Sequence, residues 1–235
     1  MPVFRLTNAL LFPPCHYAEP DGLLAIGGDL SPERLLLAYR QGIFPWYSEH
    51  TPILWWSPDP RLVLFPQELK IAKSLQRVIK KNIFRVTIDK AFRNVILQCA
   101  EVRRKQGEGT WLVPEMIDAY CLLHRLGYAH SVESWYQGEL VGGLYGVALG
   151  RVFFGESMFA ARTDASKVAL VYLVNLLRQW QFKLIDCQVT THHLMTLGAR
   201  EIPREDFLEH LTAFTRNPAK LEVWISGELS IQSVQ

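Results

Sequence analysis

The sequence predicts an α+β protein. Helix-period patterning runs through residues 67–127, a run of alternating strands follows over 131–158, and a helix–strand–helix succession closes the chain. At 235 residues, 49% apolar and 20% charged, the chain has the composition of a globular protein with a proper core and not of a disordered one. The formal net charge is only +2, so any nucleic-acid contact has to come from a local basic patch. The four cysteines, Cys15, Cys99, Cys121 and Cys187, form no C-x-x-C pair, which favours reduced thiols over a disulfide or zinc framework. The N-terminus has no secretory pattern, and the longest apolar run, 168–177, is broken by Asn175 and too short to span a bilayer. A soluble cytoplasmic protein with no membrane segment is expected.

The first sixty residues are rich in Pro, Gly and Trp. One helix is clear there: Ser31 is a good N-cap, Pro32 fits the first helical position, Glu33 suits the positive end and Gly42 can close it. The aromatics that follow, including Trp46, Trp55 and Trp56, lie between prolines, so some are expected to face a partner or a cleft. A boundary near Pro60 divides a small N-terminal unit, 1–60, from a larger one, 61–235.

A helix is expected over 67–81, with Ile71, Leu75, Val78 and Ile79 on one stripe and Lys70, Lys73, Arg77, Lys80 and Lys81 opposite. A second is expected from Asp89 as its cap, with Phe92, Val95, Ile96 and Cys99 inward, and a third from Pro114 to Gly127. Residues 131–136, 139–149 and 151–158, separated by Gln137-Gly138 and by Gly150, read as an antiparallel meander. Asp164 then caps a nearly all-apolar helix to about Trp180. A strand over 183–189, a short helix ending near Gly198 and a helix over 205–216 complete the order.

Within the strand 183–189, alternation places Asp186 and Gln188 on one face, and Ile185 and Cys187 on the other. A carboxylate and an amide in an apolar strand need partners. They serve either as a reactive pair or as hydrogen-bond anchors for loop backbone. Glu156, set among Phe153, Phe154, Met158 and Phe159, is either an edge-strand carboxylate in water or an acid at the mouth of an apolar pocket. His192-His193 cannot share one metal ion, and no metal site is expected. Gly107-x-Gly109 and Gly142-Gly143 do not follow a strand and open a helix, so neither is a phosphate loop. The basic residues at 70–81, with Arg85, Arg93 and residues 103–105, are either a solvated face or a phosphate-binding surface.

Several motifs resemble the leucyl/phenylalanyl-tRNA–protein transferase family of bacteria. They are residues 22–30 (GLLAIGGDL), 41–46 (QGIFPW), 54–61 (LWWSPDPR), 109–111 (GTW), 155–159 (GESMF), 165–167 (ASK) and 186–188 (DCQ) with 197–199 (LGA). The resemblance implies a small N-terminal domain followed by a domain of the acetyltransferase-like fold. It implies an aminoacyl-tRNA carrying Leu, Phe or Met as donor, and a protein with N-terminal Lys or Arg as acceptor. The product is marked for N-end rule degradation. On this resemblance Asp186, Gln188 and Glu156 are catalytic, with Gln188 orienting the amine and Asp186 drawing its charge or accepting a proton. Leu144, Phe153, Met158, Leu173 and Ile185, edged by Gly155 and Glu156, form the side-chain pocket. Trp46 and Trp111 flank the terminal adenosine, and Lys70, Lys73, Arg77, Lys80, Lys81 and Arg85 hold the acceptor stem by its phosphates. No covalent acyl-enzyme, cofactor or metal is expected, Cys187 is expected to face the core, and nothing in the sequence demands an oligomer. An acyl-CoA acetyltransferase is the main rival, but the turn at 161–167 contains no glycine for a pyrophosphate and places Asp164 there instead. A non-catalytic RNA-binding module would explain the basic face but not Asp186 and Gln188.

Overall fold

The computed structural model describes residues 3–105, 112–216 and 224–229. The first four strands, β1 (Phe4–Leu6), β2 (Leu23–Gly27), β3 (Phe44–Pro45) and β4 (Leu54–Trp56), form a small sheet in the order β1-β2-β4-β3. Helix α1 (Pro32–Arg40) connects β2 to β3. It starts as expected: Ser31 Oγ accepts the Arg34 N–H at 3.4 Å, and Gly42 beyond its end takes a left-handed φ of 74°. Arg34 is buried, and its guanidinium is spent on Asp29 and on the carbonyls of Thr7 and Ala9, which pins the N-terminal segment to α1.

The rest of the chain supplies β5 (Arg61–Leu64), α2 (Lys73–Lys80), β6 (Arg85–Ile88), α3 (Phe92–Lys105), α4 (Pro114–Arg125), β7 (Ala129–Tyr136), β8 (Glu139–Leu149) and β9 (Val152–Ala160). It continues with α5 (Ala165–Gln179), β10 (Leu184–Gln188), α6 (His192–Thr196), β11 (Arg200–Ile202), α7 (Arg204–Thr215) and β12 (Gly227–Leu229). Eight strands pair in the order β11-β5-β10-β9-β8-β7-β6-β12. The expected meander is β7-β8-β9, antiparallel, and both turn residues Gln137 and Gly138 have positive φ, as a tight two-residue hairpin requires. Among the described strands of this sheet, β9 and β10 alone pair in parallel, because α5 crosses between them.

Apolar side chains cover both faces of this sheet, giving two cores. One packs α2 and α5 against it through Leu75, Ile79, Leu170, Leu173, Phe153 and Ile185. The other packs α3, α4 and α7, and also joins Leu24, Tyr39 and Trp55 of the small sheet and α1 to Val63, Phe154 and Phe207.

Three local expectations need correction. The helix expected over 67–81 is a short 3₁₀ turn at Pro66–Glu68, a break, and then α2; Lys70 N–H donates to Leu197 O, which draws residues 69–72 out of helical form. Asp89 does not cap α3. It is left-handed at φ 53°, and its carboxylate accepts from Ser131 N–H and contacts His130 Nδ1, both at 2.7 Å. Buried Glu133 of β7 takes the capping role, accepting from the N–H groups of Lys90 and Ala91 and from the Ser131 and Thr87 hydroxyls. Asp164 sits at the N-cap of α5 in left-handed form, with its carboxylate on Lys167 Nζ at 3.0 Å and not on the helix N–H groups.

Gly146 of β8 lies under the Phe153 ring, where an added Cβ would stand 2.2 Å from Phe154 O and 2.6 Å from the ring. Gly146→Ala should therefore lower stability by about 1–3 kcal/mol, the usual cost of overpacking, read as a lower Tm and denaturation midpoint.

Candidate active site

β10 pairs with β9 only from Leu184 to Asp186, against Val152–Phe154. Beyond that, β9 continues on β8 alone, and a cavity of about 390 Å³ opens beside the unpaired stretch. Two bulges shape its wall. In β9, Gly155 pairs with Gly146 and Ser157 with Tyr145, so Glu156 is the extra residue. In β10, Asp186 pairs with Val63 and Gln188 with Leu62, so Cys187 is extra, and Gln188 follows with φ 64°. Bulges re-aim side chains, and these two turn Glu156 and Gln188 toward each other: Gln188 Nε2 donates to Glu156 Oε1 at 2.8 Å.

Behind this wall lies an ion pair. Arg61 Nε and Nη2 donate to Asp186 Oδ1 and Oδ2 at 2.8 and 2.7 Å, a two-pronged bond between fully buried residues. Phe44 and Phe207 flank the guanidinium, 4.8 and 4.6 Å from it. Asp186 Oδ1 also accepts the Gln188 N–H at 2.9 Å, so the pair holds the bulge that aims Gln188. Strict alternation was expected to keep Cys187 in the core, apart from Gln188. The bulge instead brings both to the cavity, where Cys187 is half-buried, and burial pushes its thiol up.

Two tyrosines lie behind the wall, against Glu156. The Tyr39 hydroxyl of α1 lies 2.7 Å from Glu156 Oε1, and the Tyr120 hydroxyl of α4 lies 2.7 Å from Oε2. Burial pushes the Glu156 carboxyl up to about 7; the Tyr39, Tyr120 and Gln188 donors oppose that shift, and the Asp186 charge adds to it. Burial, and then the Glu156 charge, raises both phenols well above their usual range. A carboxyl that titrates near neutrality beside an apolar cavity is suited to proton handling or to meeting a cationic group.

Leu144, Phe153, Gly155, Glu156, Met158, Leu173, Ile185 and Gln188 all border this cavity, and Trp46 stands at its edge, 41% exposed. Asp186 does not border it and lies behind the wall. Trp111 lies outside the described residues. Lys70, Lys73, Arg77, Lys80, Lys81 and Arg85 are all exposed. Arg85 lies over Trp135 and 3.8 Å from Glu228. Sequence reasoning missed Arg61, Tyr39 and Tyr120. Arg61 ends the 54–61 motif and could have been suspected as the partner of a buried acid, whereas nothing local marks the tyrosines, which sit on separate helices.

Two family models match the chain: leucyl/phenylalanyl-tRNA protein transferase over residues 63–212, and the N-terminal domain of that transferase over residues 28–59. The leucyl/phenylalanyl-tRNA–protein transferase of Syntrophobacter fumaroxidans is 73% identical over 208 residues, covering 88% of this chain and 89% of that protein. The protein of the same name from an Anaeromyxobacter species is 59% identical over 224 residues, covering 95% of each. Among solved structures, the chain is similar to a GCN5-related glucosamine N-acetyltransferase region of a fungal multi-domain protein, with TM-score 0.43 and 12% identity over 77% of this chain and 24% of that one.

The raised carboxyl has a consequence for stability. With the folded value at about 7 and the ordinary value at 4.5, the folded state holds the proton more tightly. The contribution of Glu156 is therefore fully present below about pH 4.5 and lost as pH rises through about 7. Glu156→Gln removes this titration, so its Tm relative to wild type should climb between about pH 5 and about pH 8 in thermal melts.

Proposed function

Because the chain belongs to the leucyl/phenylalanyl-tRNA–protein transferase family, it is an aminoacyltransferase, and we propose that it moves Leu, Phe or Met from aminoacyl-tRNA to an N-terminal Lys or Arg. The observation that carries this reading is the apolar cavity with Glu156 and Gln188 on one wall, polar groups placed where an apolar side chain would leave its carbonyl. An aminoacyl ester is already activated, so the main work is to hold ester and amine in attack geometry. The neutral amine nitrogen bonds to the ester carbonyl carbon, and the bond to the ribose oxygen breaks. The proton that the nitrogen sheds is balanced by the one the ribose oxygen takes up as it leaves as a hydroxyl. An α-amino group has an ordinary pKa of about 8, so a modest fraction is nucleophilic at neutral pH.

Within this reading Gln188 orients the amine. Asp186 is sealed against Arg61 and acts through the Gln188 backbone as a positioning residue. Leu144, Phe153, Met158, Leu173 and Ile185 accept the donor's side chain, where apolar contacts discriminate by about 1–3 kcal/mol. Trp46, together with Trp111, flanks the terminal adenosine, where stacking is the natural contact. On α2, Lys73, Arg77 and Lys80 point away from buried Leu75 and Ile79. With Lys70, Lys81 and Arg85 they hold the acceptor stem by its phosphates, without sequence readout. Residues 1–60 form the unit that supplies Trp46 and Tyr39. The enzyme acts in the cytoplasm as a monomer, and its product is marked for N-end rule degradation. Among the described residues, no helix is long and apolar enough to cross a membrane.

The test is transfer of labelled leucine from charged tRNA to a peptide beginning with Arg. Transfer should occur to the free peptide, fail with a blocked N-terminus and be abolished by RNase; absence of transfer with intact donor and folded protein would overturn the reading. A triple alanine variant at Lys73, Arg77 and Lys80 should bind tRNA more weakly. Its log–log dependence of affinity on salt should flatten by about 0.7–0.9 for each phosphate that the variant no longer neutralises.

A further inference from the structure

Three side chains from α1, α4 and β9 meet in a closed ring, with four oxygens joined by three hydrogen bonds and the carboxyl carbon. Tyr39 Oη is 2.7 Å from Glu156 Oε1, Tyr120 Oη is 2.7 Å from Oε2, and the two phenolic oxygens are 2.5 Å apart. Each separation is that of a hydrogen bond, so each needs a proton between the oxygens. Two phenols bring two protons to three hydrogen bonds, and an ionised carboxylate brings none. An ionised Glu156 would therefore leave one buried pair of oxygens facing each other lone pair to lone pair, with both tyrosines wholly shielded from water. A carboxylic acid supplies the missing proton.

The direction of the ring follows from Gln188. Its Nε2 donates to Glu156 Oε1, so Oε1 accepts from both Gln188 and Tyr39 and is the carbonyl oxygen; the proton sits on Oε2. We propose that the resting enzyme holds Glu156 as a neutral acid in a one-way ring, Oε2–H to Tyr120, Tyr120 O–H to Tyr39, Tyr39 O–H to Oε1, and that Tyr39 and Tyr120 are positioning residues for Gln188. The ring makes Oε1 a pure acceptor. It thereby fixes the Gln188 amide with its NH₂ on Glu156 and leaves its Oε1 as the end available to a ligand in the cavity. A carbonyl oxygen accepts from an amine N–H, which is the orientation a nucleophilic amine needs.

Other groups around the ring agree with a neutral acid. Asp186 of β10 adds negative charge and is committed to Arg61 of β5, and Tyr145 of β8 adjoins Tyr39. Cys187 and His193 border the same cavity; burial raises the thiol, and burial followed by Lys167 lowers the imidazole, so both favour their neutral forms. Burial of the carboxyl works in the same direction.

The role given to Gln188 rests on the transferase reading, whereas the protonation state does not, so the first experiment uses no substrate. Infrared difference spectra of the protein, taken between about pH 6 and about pH 9, should show the carbonyl stretch of one neutral carboxylic acid disappearing as pH rises. That band should be missing in Glu156→Gln. Tyr39→Phe and Tyr120→Phe each open the ring, so the frequency of the band should shift in both variants as the hydrogen bonds of the acid change. Absence of any such acid band from the wild-type protein would overturn the proposal, and this holds even if the variants fail to fold. A band whose frequency is unmoved in both phenylalanine variants would overturn the ring. In transfer assays the same variants should lower kcat with donor KM little changed, and the neutral-range limb of the pH profile should move with the infrared midpoint. Glu156→Gln should retain more activity than Glu156→Ala, because an amide can also accept from Gln188 and donate to Tyr120.

Discussion

The Arg61–Asp186 pair joins β5 to β10 at the point where the large sheet stops pairing and the cavity begins. Two fully buried charges in apolar surroundings are tolerable only with good geometry and satisfied hydrogen bonds, and breaking such a pair commonly costs about 3–5 kcal/mol. Here both carboxylate oxygens are used, one of them twice, since Oδ1 also takes the Gln188 N–H. The pair is therefore also the strut of the β10 bulge. Phe44 from the small sheet and Phe207 from α7 close over the guanidinium, so three separate regions of the chain depend on its position.

The wall in front of this strut has a different character. Glu156 is buried without a cation of its own and is satisfied by two phenols and an amide. The contrast is one of partners: Asp186 is held by a guanidinium, whereas Glu156 has none, and burial first, with the Asp186 charge adding to it, drives Glu156 toward its protonated form. Two acids a strand apart are thus placed in different environments, one holding geometry and the other free to exchange a proton. The apolar cavity, bordered by both the small sheet and the large one, lies beside them.

Much of the fold was legible because the signals are local. The helix from Ser31 to Gly42, the β7-β8-β9 meander with its Gln137-Gly138 turn, and the apolar α5 all follow from caps, turn residues and periodicity. The failures occur where a distant group overrides a local preference. Glu133 caps α3 from another strand, so Asp89 is released to His130 and Ser131. Leu197 O takes the Lys70 N–H, so the expected long helix starts late.

Periodicity, turn chemistry and the order of motifs by themselves determined the α+β class, the main helices, the β7-β8-β9 meander with β10, the family and about half of the residues around the cavity. The short strands β5, β6, β11 and β12 that complete the large sheet were not legible. Only the tertiary structure decided what those residues do to one another. Strand alternation has a period of two and carries no record of bulges, so the turning of Glu156 and Gln188 toward each other was invisible in sequence. The partners of the buried acids, Arg61 for Asp186 and Tyr39 with Tyr120 for Glu156, lie 125, 117 and 36 residues away along the chain. Protonation is set by burial and by neighbours in space, and neither exists until the chain has folded.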